Sequence, residues 1–307
     1  MAQHDLTQGS ISAIILRMAV PSAVGYLFQT FYNIVDTVWA STISPEALAG
    51  LGLSFPVFLS VLAIAIGVSA GSTVLTAHAL GAKDEAEAGK IIGQTIIVGL
   101  IASLGLALIG LPLLSTIFGA LSPDQSSADN AWLYFSPILM FNAFFIMSFA
   151  LNGALNAVGD TMTFAAVLIG GFLLNLGLNP LLIYGYSLGD LTLVPAMGTM
   201  GIGVATVISQ GLGLAFVVYR LSRLPLWQHV MAAGFAPRGQ VIMALMKQGL
   251  PASFNMVAIS LGFVLMTYYS GRFGTDALAG FTAGLRIEQL ALLPAVLWST
   301  AQSPQTE

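Results

Sequence analysis

Along this chain apolar residues come in long unbroken runs, separated by short breaks rich in proline, glycine and charge. Breaking the sequence at its polar and Pro/Gly positions leaves eight apolar segments, at about 11–43, 47–78, 91–119, 131–154, 162–186, 197–222, 240–270 and 277–301. Most reach twenty residues or more, whereas a transmembrane strand needs only about ten of alternating polarity, so the pattern predicts membrane-spanning helices. Helices satisfy their own backbone hydrogen bonds, which lipid cannot do for them. The breaks are ISPEA, LGAKDEAEAGK, ALSPDQSSADN, AVGDT, SLGDLTLVP, RLSRLPLWQHVMAAGFAPRG and GRFGTDA.

Composition removes the soluble alternative. Hydrophobic residues make up 57% of the chain and charged residues only 7%, with a mean hydropathy of +0.89, against about 25% charged in ordinary soluble domains. The net charge of -4 says little, because basic residues gather on one side. Arg17, Lys83, Lys90, Arg220, Arg223, Arg238 and Lys247 flank the N-terminus or the even-numbered breaks, while Arg272 alone lies in an odd-numbered one. Cytoplasmic loops are enriched in Lys and Arg, so the N-terminus is expected in the cytoplasm of a multi-pass inner-membrane protein. The third and fifth breaks carry Asp124, Asp129 and Asp190 and no base, as external loops should. The start has neither a basic n-region nor a clear cleavage motif, so no removable signal peptide is expected.

The chain also matches itself at an offset of 230 residues. Pro21 pairs with Pro251, Thr37 with Thr267, and Ala47-Leu48-Ala49-Gly50 with Ala277-Leu278-Ala279-Gly280. The seventh segment thus begins a second copy of a six-helix unit in the same orientation, a parallel repeat typical of transporters. This predicts a six-helix lobe over 1–225, a cytoplasmic linker over 226–240, and the first two helices of a second lobe over 241–307.

Candidate chemistry is sparse and therefore informative. Asp36 lies inside the first segment, ten residues before Glu46, or about 15 Å along a helix. An acid at such depth marks an ion or substrate path by default, the plainer alternative being a neutral, hydrogen-bonded packing residue. Asn33 shares its face. Asn175 with Asn179 and Thr206 with Gln210 form further i, i+4 pairs on the fifth and sixth segments. Together these oxygens could bind Na⁺ or hold a proton, while each Asn or Thr alone could equally be interhelical packing. The small-xxx-small pairs Gly67/Gly71 and Gly201/Ala205 read as close helix packing.

Other chemistries find no support. GTMGIGVAT follows no predicted strand and carries no base, so it is no dinucleotide loop. Three scattered histidines and no cysteine speak against a metal site, a catalytic triad or a bound cofactor. No basic stripe calls for nucleic acid. Arg286 and Glu288, both inside the eighth segment, are candidates to pair with one another.

These residues resemble the MATE (multidrug and toxic compound extrusion) family of cation-coupled efflux transporters. The resemblance is collinear over about 10–295. It is carried by FYNIVDTVW, EALAGLG, AHALGAKDEAEAGK, LNGALNAVGDT, NLGLNPLLIYG, MGIGVATVISQ and the LPASFN and DALAGF copies. It implies an all-α bundle of twelve helices in two six-helix lobes around a cavity that opens alternately to each side. It also implies H⁺ or Na⁺ coupling at Asp36, with Asn175, Asn179 and Thr206 beside it; Asn33 and Gln210, by their spacing to Asp36 and Thr206, are candidates for the substrate cavity. The cargo would be organic cations or drugs. Asn179 stands where some members carry an acid, and Asn255 in the seventh segment where another branch carries a glutamate. Four helices of the family pattern lie beyond this sequence, whose polar ending, STAQSPQTE, looks like a truncation. A lipid-linked saccharide flippase of the same superfamily and an inactive fragment are the alternative readings.

Overall fold

The computed structural model describes residues 11–189 and 191–302, and the side chains of 20–289 apart from Ser22, Tyr26 and Asp190. The amino-terminal start, the Arg17 side chain, Asp190 and the polar ending after Gln302 lie outside the described residues. The eight segments become helices: α1 (Ile11–Ile43), α2 (Pro45–Gly81), α3 (Glu85–Leu121), the pair α4 (Gln125–Met140) and α5 (Asn142–Ala157), α6 (Met162–Tyr184), α7 (Thr199–Ser222), α9 (Gly239–Gly271) and α10 (Thr275–Gln302), with α8 (Leu226–Ala233) between α7 and α9. Among the described residues five helices are long and apolar enough to cross a membrane, or six with α4 and α5 counted as one bent span. The all-α, multi-pass reading holds.

Three breaks contain more than loops. The fourth span is two helices meeting at 51°. Pro137 has no N–H to continue the ladder, and at the bend the Asn142 amide donates to the Leu139 carbonyl at 2.6 Å and to the Ser103 carbonyl at 3.1 Å. The fifth break pairs β1 (Tyr186–Leu188) with β2 (Leu191–Val194) in an antiparallel hairpin. The stretch read as a linker holds α8, which buries Leu226 and Val230. Gly89 on α3 faces the His229 backbone, so that a Cβ there would come within 2.6 Å of it. Gln94 then holds the following turn from both sides, donating to the Ala236 carbonyl and accepting from the Arg238 N–H, at 2.9 and 2.8 Å.

The internal repeat reappears as geometry. α1 and α9 are each 33 residues long with one internal proline, Pro21 and Pro251. α2 starts at Pro45 and α10 at Thr275, the same offset of 230 as the sequence match. Thr37 and Thr267 are both buried.

α9 lies along α2, and glycines set the distance. A Cβ on Gly249 would fall 2.3 Å from the Gly67 carbonyl oxygen, and one on Gly71 would fall 2.7 Å from that of Leu245. In this gap Ser253 donates to the Ala63 carbonyl and Ser260 to the Pro56 carbonyl, both at 2.9 Å. The glycine spacing therefore is packing, as the sequence suggests, and so is Gly201, which lies against the backbone of Leu182 and Ile183.

Outside the apolar spans, Asp160 joins the base of α6 to α7. It accepts from the Thr163 N–H and hydroxyl and from Arg220, the last at 2.9 Å. Partial burial raises its pKa, but the Thr163 and Arg220 donors outweigh that and hold it below the ordinary carboxylate value. A depressed folded-state pKa gives stability that is present above the unfolded value near 3.8 and fades as pH falls through the folded one.

Two measurements test this packing. Gly249→Leu should lower the melting temperature of the detergent-purified protein by an overpacking cost of about 1–3 kcal/mol, while Gly262→Leu, where a Cβ meets nothing within 4 Å, should not; equal melting of the two variants contradicts the contact. Arg220→Gln should destabilise at pH 7, and its deficit relative to wild type should shrink as pH is brought below about 4.

Candidate functional site

The site forms where α1, α4, α6 and α7 converge. α1 meets α6 through Gly25, whose Cβ would lie 3.1 Å from Ala165, and through a ring cluster of Phe28, Phe31 and Phe172. That contact turns Asp36 towards the asparagines of α6. α7 reaches α4 because position 203 is glycine: any Cβ there would strike the Tyr134 carbonyl. Thr206, one turn further along α7, is thereby brought to the same point.

Asp36 is 2% exposed. Asn179 Nδ2 donates to its Oδ1 at 2.9 Å, and also to Asn175 Oδ1 at 2.9 Å. On the other oxygen, Thr206 Oγ1 and the Tyr134 hydroxyl donate to Oδ2 at longer range, 3.4 and 3.5 Å. Thr206 shares its proton with the Ile202 carbonyl at 3.1 Å. Asn175 and Asn179 are themselves fully buried. With α1 ending at Ile43, Asp36 sits seven residues, about 10 Å, from its helix end. It is shallower than the spacing to Glu46 suggests, because Ser44 breaks the chain and caps α2.

The chemistry of this cluster suits a switch between two charge states. Donors stabilise a charged carboxylate. Two of its three partners are hydroxyls, which can turn and accept a proton from a neutral carboxyl. Asn179 Oδ1 and the Tyr32 hydroxyl are buried without hydrogen-bond partners, and both can accept. Asp36 and the neighbouring hydroxyls offer oxygen ligands of the kind a hard cation takes, and Asn179 would add its Oδ1 with its amide turned, since its Nδ2 is the atom that faces Asp36. Among the described residues no group of three His, Asp or Glu could hold a metal ion.

Of the residues singled out from sequence, Asp36, Asn175, Asn179 and Thr206 come together. Asn33 and Gln210 do not join this cluster and instead line the adjoining cavity. Sequence reasoning missed Tyr32 and Tyr134. Tyr32 lies one helical turn before Asp36, which was a usable signal; Tyr134 stands 98 residues away, and nothing local marks it. The expected pairing of Arg286 with Glu288 does not form. Glu288 is exposed, while Arg286 donates from Nε to Thr37 Oγ1 at 3.0 Å and from NH1 to Gln289 at 3.2 Å, and lines the cavity. Residues two apart on a helix point in different directions.

A sequence model of the MatE family matches residues 21–181. The chain belongs to the MATE family. It is 24% identical over 98% of its length to the FAD transporter of Shewanella oneidensis, covering 66% of that protein. To the probable multidrug resistance protein NorM of Thermotoga maritima it is 25% identical over 92% of its length, covering 59% of that protein. Among solved structures it is similar to the outward-facing conformation of a multidrug resistance MATE family transporter of the MOP superfamily, with a TM-score of 0.81 at 27% identity over 97% of this chain and 65% of that one. The MATE-family chain spans between 55% and 66% of the length of the curated relatives it matches.

The site geometry predicts which pairs are coupled. In double-mutant cycles on thermal stability, Asn179→Ala and Asp36→Asn should show a coupling of about 1–2 kcal/mol, whereas Asn33→Ala and Asp36→Asn should be additive within about 0.5 kcal/mol. Additivity for both pairs would contradict the cluster.

Proposed function

We propose that the protein acts as a secondary active efflux transporter of the multidrug type, exporting amphipathic organic cations or drugs in exchange for H⁺ or Na⁺ by alternating access. The observation that carries this reading is Asp36, buried in the membrane interior among donors from three other helices and next to a cavity whose wall includes Gln29, Asn33, Gln210, Phe55 and Phe145. The space there open to the centre of a water molecule is about 40 Å³, enough to admit water beside Asp36.

Binding of an ion at Asp36 biases the two conformations only through its different affinity for each. The hydroxyls and amides described above would exchange partners as Asp36 gains or loses charge, and so link ion occupancy to the packing of α1 against α4, α6 and α7. The membrane orientation proposed is the one the Lys and Arg distribution favours, amino-terminus in the cytoplasm. In this reading residues 1–225 form the first six-helix lobe, 226–240 the connection, and 241–307 the opening of the second lobe.

A lipid-linked saccharide flippase is the second reading, and one feature favours it. The first six spans offer an acid and almost no base, yet α10 supplies Arg286 to the cavity wall. The relative named for FAD, an anionic molecule, argues likewise that membership of the family does not fix the charge of the cargo.

The test is efflux of a cationic dye such as ethidium from proteoliposomes under an imposed proton or Na⁺ gradient. Asp36→Asn should abolish gradient-driven efflux. Wild-type rates in that variant would sink the coupling role, and no gradient-dependent flux from the unmodified chain would favour the inactive-fragment reading.

A further inference from the structure

Arg286 raises a question that Asp36 does not answer. It comes from α10, lines the cavity, and is the one base on that wall among the described residues. Its hydrogen-bond partners, Thr37 and Gln289, are both neutral. Its guanidinium also rests over the Phe55 ring, 5.2 Å from the centroid. No ion pair within 4.0 Å joins it to an acid among the described residues. A guanidinium whose direct partners are all neutral, and which Asp36 reaches only through its field, keeps its fork of donors open to an oxyanion.

We infer that Arg286 is a subsite for an anionic group of the cargo, a carboxylate, sulfonate or phosphate borne on an aromatic body, and that Asp36 competes with that group for the guanidinium's charge. The inference rests on the reading of this cavity as the cargo path. The planar fork of Arg suits an oxyanion, and Phe55, Phe58 and Phe145 on the same wall offer ring faces and edges to the aromatic part. Thr37, which accepts from Arg286 and donates to the Asn33 carbonyl, follows Asp36 on α1, so Arg286 is tied to the same turn of that helix. Facing Asp36 are Tyr134 from α4, Asn175 and Asn179 from α6, Thr206 from α7 and Tyr32 on its own helix; α10 contributes Arg286, and among the described residues no second acid intervenes. With Asp36 charged, its field offsets that of Arg286. Once Asp36 is neutralised by a proton or by substitution, the guanidinium stands uncompensated and draws an oxyanion more strongly. The cavity thereby reads both signs, a cationic group on the Asp36 side and an anionic one on the Arg286 side.

A matched pair of dyes with one ring system tests this at equilibrium, without transport. Anisotropy titrations of the detergent-purified full chain would use anionic sulforhodamine B and cationic rhodamine 6G. Arg286→Gln should weaken sulforhodamine B at least about tenfold and leave rhodamine 6G unchanged or tighter, with Arg286→Lys in between. Asp36→Asn should tighten sulforhodamine B severalfold. Unchanged sulforhodamine B binding in Arg286→Gln, equal weakening of both dyes, or no gain in Asp36→Asn each overturns the subsite. If Arg286→Gln does not fold, the Asp36→Asn titration decides alone. Loss of dye efflux with these affinities intact would count against the transport reading and not against the subsite.

Discussion

A carboxylate inside a bilayer must be neutralised, hydrogen-bonded or matched by a cation, since the surrounding hydrocarbon offers it nothing. Much of this bundle can be understood from how that requirement is met at Asp36. No single helix could supply the donors, because neighbours on α1 that share its face are few. The partners come instead from α4, α6 and α7, which ties the positions of four helices to one charged group. The same arrangement is poised rather than saturated. One partner is an amide that holds Oδ1 at 2.9 Å, and the other two are hydroxyls at 3.4 and 3.5 Å that can reverse the direction of their hydrogen bonds.

Bringing four helices to one point requires close backbone approach, and the chain achieves it with missing side chains. Gly203 admits the Tyr134 carbonyl, Gly201 admits the end of α6, and Gly25 lets α1 rest on Ala165. Among apolar helices in lipid, burial of apolar surface gives no net drive to associate, so such close packing and interhelical hydrogen bonds take its place. The bend between α4 and α5 belongs to the same economy of geometry. Pro137 and the Asn142 amide turn the fourth span so that Tyr134 from one half and Phe145 from the other face a common cavity.

The spans, their helical nature, the internal repeat, the buried acid and three of the residues around it are legible in the sequence, because each leaves a local signature: a long apolar run, a recurring proline, a polar pair at i, i+4. What is not legible depends on contacts distant in sequence. Tyr134 looks like any aromatic residue in WLYF until α7 is packed beside it. Arg286 reads as a charge in search of Glu288, yet its partner Thr37 is 249 residues away. The hairpin between α6 and α7 and the short helix α8 fall in breaks where brief, weakly periodic stretches resemble loops. Asn33 and Gln210, read from the sequence as cavity candidates, line the cavity beside the cluster.

If ion and cargo exchange at Asp36 as proposed, adding a cationic substrate such as tetraphenylphosphonium to the purified protein in weak buffer should release one proton or one Na⁺ for each cation bound, read as the free concentrations of both ions, and Asp36→Asn should release neither. Binding without release of either ion from the wild-type protein would overturn the exchange.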